Sequence, residues 1–212
     1  MLCPLKSCKK NGCHCIKDYG LFVSFVILAL AIWIFKLNQP LFQYINSLHS
    51  LLPNIVWKGL NLISYSKFFI LPLLLLVITF IWRKDRIKQV IALLIAYYLV
   101  FQCLKMLFGE ARPYMVLPEG SFFWINQFEN VAKSAYRSFP SGHTGNMAVF
   151  VFALSSIFDK KWLKVLLFLL LILTGLARIC TGWHWPLDVI ASGLISYILV
   201  QICLYRKYTG PI

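Results

Sequence analysis

The sequence predicts an all-α integral membrane protein, a bundle of six transmembrane helices with an interfacial helical segment after the first. Three observations carry this expectation. The 212 residues are 60% hydrophobic and only 13% charged, with a mean hydropathy of +0.75, whereas a soluble domain of this size has more polar surface to cover. The apolar residues are gathered in runs that approach the thickness of a bilayer's hydrocarbon layer. The basic residues, which give a net charge of +14, fall between those runs, where they act as topology determinants. That placement argues against nucleic acid as a partner.

Residues 1–18 read as a basic, Cys-rich cytoplasmic tail and 19–212 as one membrane domain. Cys3, Cys8, Cys13 and Cys15, with His14, crowd the tail. Thiolates and imidazole suit zinc, but the spacing lacks a paired CxxC, so a small metal site and a reduced basic tail both stay open. The run 20–35 is the first span. It resembles a signal peptide's apolar region, yet no small-x-small pattern follows and Trp33, Phe35 and Lys36 close it, so it reads as uncleaved.

In 38–64 the residues Leu41, Phe42, Ile45, Leu48, Leu52, Ile55 and Val56 recur at helical spacing among polar ones. An amphipathic interfacial helix or helix pair fits, with a packed loop capping the bundle as the alternative. The second span is 66–82, where Pro72 is expected to kink the helix. A basic turn, 83–88, leads to the third span, 89–108. The connection 109–140 is the longest. Its Phe122, Phe123 and Trp124 read either as headgroup-level anchors or as a substrate wall. The fourth span is 143–158, the fifth 162–179, and the sixth 186–205, begun by Pro186, where a missing N–H matters least.

Charge sets the orientation. With a cytoplasmic N-terminus, six spans place Lys6, Lys9, Lys10, Lys17, Arg83, Lys84, Arg86, Lys88, Lys160, Lys161, Lys164, Arg206 and Lys207 on the cytoplasmic side. Lys36, Lys58, Lys67, Lys105, Arg112, Lys133, Arg137 and Arg178 fall opposite. The positive-inside bias therefore puts both termini in the cytoplasm. The same arrangement puts three polar clusters on the outer side.

Those clusters are KMLFGEARP (105–113), FPSGHTG (139–145) and ARICTGWHWPLD (177–188). Lys105 and Arg112 are seven apart and face one point if their helix persists, although Gly109 and Pro113 signal its end. Ser141 and Gly142 form a turn at a helix start, where free N–H groups hold an anion. Asp188, four residues after His184, is placed to accept a hydrogen bond from it. His14 and His49 have no such company. Two histidines, one carboxylate, three cations and a Ser-Gly turn suit phosphate chemistry. Lys105, Arg112 and Arg178 bind and neutralise the phosphoryl oxygens, His184 attacks phosphorus, and His143 protonates the leaving oxygen and later activates water. With Asp188 the one carboxylate placed at all three clusters' shared face, no Mg²⁺ site is expected. A zinc hydrolase on His143, His184 and Asp188 is the chemical alternative, opposed by the neighbouring cations.

The motifs resemble those of the type 2 phosphatidic acid phosphatase (PAP2) family of membrane lipid phosphatases. KX6RP is matched by Lys105, Arg112 and Pro113; PSGH by Pro140, Ser141, Gly142 and His143; and SRX5HX3D by Arg178, His184 and Asp188, with Ala177 in place of the motif's serine. The resemblance covers about 20–205. It implies a six-helix PAP2-like fold and a phosphohistidine at His184, oriented by Asp188, with His143 as the acid. It further implies phosphate binding by Lys105, Arg112, Ser141, Gly142 and Arg178; no cofactor is expected. The serine missing at Ala177 would add one phosphate contact. The substrate expected is a lipid phosphate in the bilayer: phosphatidylglycerophosphate, undecaprenyl diphosphate or lipid A, met on the periplasmic or outer face of a bacterial inner membrane. A transporter for an anionic lipid and a scaffold descended from an enzyme are the non-enzymatic alternatives.

Overall fold

The computed structural model of the chain describes residues 19–65, 69–125 and 131–204. The apolar run after the tail winds into α1, Tyr19–Ile34, and the chain bends by 106° before α2, Asn38–Ser47. A 3₁₀ turn, Leu48–Leu51, precedes α3, Asn54–Ser64. Then come α4, Ile70–Trp82, a second 3₁₀ turn, Lys84–Arg86, and α5, Ile87–Phe108. Two single turns, α6 (Pro113–Val116) and α7 (Val131–Ser134), lie in the long connection. The last three helices are α8 (Gly142–Ile157), α9 (Lys161–Cys180) and α10 (Pro186–Leu204). The expected tail, with its four cysteines and His14, lies outside the described residues.

The bundle is built around α8. Every residue from His143 to Leu154 is buried, as expected of a helix apolar on all sides. It is packed by α10, α9, α4 and α3, with α5 alongside, and α1 lies against the outside of α10. Gly145 sets the α8–α5 distance: a Cβ there would overlap the Phe101 ring and sit 3.0 Å from Tyr97 Cε2. Phe101 is buried and has little room to retreat. Gly145→Ala is therefore expected to destabilise the detergent-solubilised protein by about 1–3 kcal/mol through overpacking. A lowered Tm in a thermal-unfolding assay is the check; an unchanged Tm means that the two helices part freely.

The six expected spans are not six full-length ones. Among the described residues, three helical stretches are long and apolar enough to cross a membrane: 84–116 around α5, α9 and α10. A fourth qualifies only if α1 and the bent segment after it are taken together. The reason is geometric. At about 1.5 Å per residue, the 16 residues of α8 and the 13 of α4 fall short of a full crossing. Moreover α8 is sheathed by its neighbours and starts at a polar site. The Pro72 kink is likewise corrected. Pro72 is the third residue of α4, in the first turn, where no intrahelical N–H bond is lost.

The amphipathic segment 38–64 forms a helix pair that also caps the bundle. Phe42, Asn46, Trp57 and Asn61 turn inward, and α2 and α3 pack on α9. Tyr44, Leu51 and Ile55 stay exposed, an apolar face suited to the membrane interface. Phe122 and Phe123 are half-buried by ring contacts, while Trp124 stays partly exposed. Phe122 packs edge-on to Phe42, Phe123 stacks on His49 with centroids 3.9 Å apart, and Trp124 meets Tyr114 and Trp183.

Candidate active site

Cluster one does not remain on a single helix. Gly109, at φ 53°, closes α5 in the left-handed conformation that glycine tolerates. The chain doubles back so that the two cations approach the site from different backbone directions. Lys105 Nζ donates to the carbonyls of Arg137 (2.9 Å) and Pro140 (2.6 Å), which fixes it beside Gly142. Arg112 N donates to Ala135 O and its Nε to Ser134 O. Its Nη1 donates to Trp183 O at 3.0 Å and lies 3.2 Å from His184 Nε2.

Cluster two opens α8 as expected. Ser141 is the N-cap, and its Oγ accepts from Thr144 N and lies 3.0 Å from Thr144 Oγ1. Its own N–H donates to Asp188 O at 3.3 Å. Tyr97 OH donates to Gly142 O. The His143 ring stacks on Tyr65, with centroids 5.2 Å apart.

Cluster three turns on Gly182, whose φ of 77° suits only glycine. A Cβ there would sit 2.8 Å from Phe123 O. This tight turn after α9 returns His184 beneath Arg178, and His184 N donates to Arg178 O. His184 Nδ1 lies 3.3 Å from Asp188 Oδ2, although α10 begins only at Pro186. With Asp188 on Nδ1 and a guanidinium donor on Nε2, the tautomer that satisfies both carries its proton on Nδ1. Arg112, Arg178, His184 and Asp188 are all at most 4% exposed. Burial holds the His184 pKa well below the ordinary histidine range, helped by the charges of Arg112, Arg178 and Lys105. The ring is therefore neutral at neutral pH, with its lone pair on Nε2.

All eight residues singled out in the sequence thus converge on one region. Ala177, where the motif has serine, is fully buried with Trp57 and Cys180, packed against α3. Among the described residues, no three His, Cys, Asp or Glu side chains are grouped to hold a metal ion.

Several residues around the site gave no motif signal. The Trp183 ring lies under two guanidiniums, 5.0 Å from Arg112 Cζ and 5.5 Å from Arg178 Cζ. Such contacts offset the repulsion between neighbouring cations. Asn46 Nδ2 donates to the carbonyls of Phe123, Ile179 and Cys180, while its Oδ1 accepts from Phe123 N. It ties α2, the long connection and the end of α9 together. Ser138 Oγ donates to Asp188 Oδ2 at 2.6 Å. In the sequence these look like an indole near an interface, an asparagine on an amphipathic helix and a loop serine.

Fold and site together define a membrane helix bundle that gathers cations around a buried histidine–carboxylate pair. The chain belongs to the PAP2 superfamily, whose sequence model matches residues 86–210. It is similar to the undecaprenyl-diphosphatase of Sulfolobus acidocaldarius, 33% identical over 136 residues, which cover 61% of this chain and 59% of that one. The chain thus spans less than two thirds of that relative's length. It is similar in structure to Aquifex aeolicus LpxE, with a TM-score of 0.64 at 30% identity, over 79% of this chain and 94% of that one. A PAP2 type phosphatidylglycerolphosphate phosphatase from Bacillus subtilis shares the fold, with a TM-score of 0.63 at 23% identity, over 90% and 98% of the two chains.

Proposed function

We propose that this protein removes phosphate from a membrane lipid without a metal ion, through a phosphohistidine on His184. The observation that carries this reading is the His184 ring, held between Asp188 on Nδ1 and Arg112 at Nε2. In the free site the guanidinium occupies the nucleophile's lone pair. Binding of a phosphate moves that donor onto a phosphoryl oxygen and frees Nε2 for attack. The Nε2 lone pair forms the P–N bond as the P–O bond to the lipid breaks. His143 delivers a proton to the leaving oxygen. It then takes a proton from water, whose oxygen attacks phosphorus; the P–N bond breaks and its electron pair returns to Nε2. Lys105, Arg112, Arg178 and the N–H groups of the Ser141–Gly142 turn hold the phosphoryl oxygens throughout.

Residues 19–212 act as one membrane domain in this reading, with six crossings in which the short α4 and α8 are completed by flanking residues and a locally thinner bilayer. Both termini are cytoplasmic, and the site opens to the periplasmic or outer face of a bacterial cytoplasmic membrane, supported by the bias of basic residues. Phosphatidylglycerophosphate, undecaprenyl diphosphate and lipid A are the substrates in view, each supported by a relative named for it. Purified protein in detergent micelles, offered each lipid in turn, is expected to release inorganic phosphate at an undiminished rate in excess EDTA. Release from none of them, or release abolished by EDTA, overturns the reading.

A further inference from the structure

We propose that Ser138 is a positioning residue for the reaction: its buried hydroxyl locks the Asp188 carboxylate, and through it the His184 ring, in the orientation that presents Nε2 to phosphorus. This role rests on the phosphatase reading above. Residues 138–141 grip Asp188 at two points. Ser138 Oγ donates to Asp188 Oδ2 at 2.6 Å, and Ser141 N donates to Asp188 O at 3.3 Å. One segment thus holds both the side chain and the backbone of the residue that orients the nucleophile.

The same carboxylate oxygen accepts from Trp185 N at 2.9 Å and lies 3.3 Å from His184 Nδ1. The serine bond is the shortest of the three and is charge-assisted. Ser138 is fully buried, so solvent does not take over the donor's place if the hydroxyl is removed. The backbone that carries it is pinned as well. Ser138 N donates to Glu110 O, and Lys105 Nζ donates to the carbonyls of Arg137 and Pro140 on either side. Ser138 therefore joins cluster one to cluster three from the position immediately before cluster two. With its proton directed to Asp188, it acts through that residue and not on the phosphate. Without it, the carboxylate keeps two donors on one oxygen and gains freedom to rotate, and the imidazole loses its fixed aim.

The test is a double-mutant cycle on the full chain in detergent, with lipid-phosphate release followed at steady state and in a single turnover. Ser138→Ala is expected to lower kcat about 10–100-fold with KM within about twofold of wild type, as for a lost bond to a buried catalytic carboxylate. In the Asp188→Ala background the same change is expected to cost less than about twofold, since the group it acts through is gone. Ser138→Cys, nearly isosteric and a weaker donor, is expected to fall between wild type and alanine; it carries the same cycle if the alanine protein does not accumulate folded. A Ser138→Ala enzyme with wild-type kcat, a loss confined to KM, or losses that multiply in the double mutant each overturn the role. A wild-type protein that releases no phosphate overturns the phosphatase reading and this role with it, whereas wild-type activity with an unaffected serine variant overturns this role alone.

Discussion

Replacing His184 with alanine is expected to lower lipid-phosphate release at least a thousandfold, about the scale seen when a nucleophile is removed from a concerted catalytic group. The expectation follows from the ring's placement. His184 is nearly inaccessible to solvent, its Nδ1 is committed to Asp188 and its Nε2 meets the Arg112 fork. A group so held and kept neutral has the lone pair that attack on phosphorus requires. A second readout is independent of turnover. Wild-type enzyme quenched during reaction with a ³²P-labelled lipid is expected to carry a label that is lost in acid and kept in alkali, as a phosphoramidate behaves. The alanine variant is expected to carry none. A His184→Ala protein that keeps more than a tenth of the activity, or that still takes up the label, removes His184 from the chemistry.

Arg112 is expected to show the next largest effect. Arg112→Ala is expected to lower kcat about 10²–10³-fold, with a smaller rise in KM, because its charge matters most when the equatorial oxygens carry the transferring phosphoryl group's charge. Arg112→Lys is expected to recover little of that loss. A single ammonium does not reproduce the fork that reaches Ser134 O, Trp183 O and His184 Nε2 together.

The two variants separate in their pH profiles. The Arg112 charge helps to hold the His184 pKa down. Removing it lets the ring take up a proton at a higher pH, so the neutral nucleophile is lost earlier on acidification. The acid limb of kcat/KM for the alanine variant is therefore expected to move to higher pH than wild type on the same lipid, while the lysine variant's limb stays near wild type. A raised KM alone, or an alanine profile that coincides with wild type, contradicts this account.

Much of the site was legible before any coordinates. Lys105, Arg112, Ser141, His143, Arg178, His184 and Asp188 are polar side chains that an apolar chain has little reason to keep unless they meet, and they do meet, around the turn at Gly142. The His184–Asp188 pair was readable from a four-residue spacing, even though the helix starts later than that spacing assumes. The convergence of Lys105 and Arg112 was right, but its route was not. It depends on Gly109 ending α5 and on the return through residues 134–140, which carry the carbonyls that both cations bind.

Sequence by itself determined the helical membrane class and an amphipathic segment after the first span, through composition and periodicity, which are local properties of the chain. It also offered the candidate site residues, and through their resemblance to known motifs the family. Tertiary structure alone decided that α8 is the sheathed centre of the bundle and that the spans are unequal in length. It alone decided that Trp183 lies beneath two guanidiniums, that Asn46 staples three elements, and that Ser138 reaches Asp188. Each of these depends on which distant side chains share a buried volume. A serine that closes a hydrogen bond across fifty residues looks, in the sequence, like any other serine in a loop.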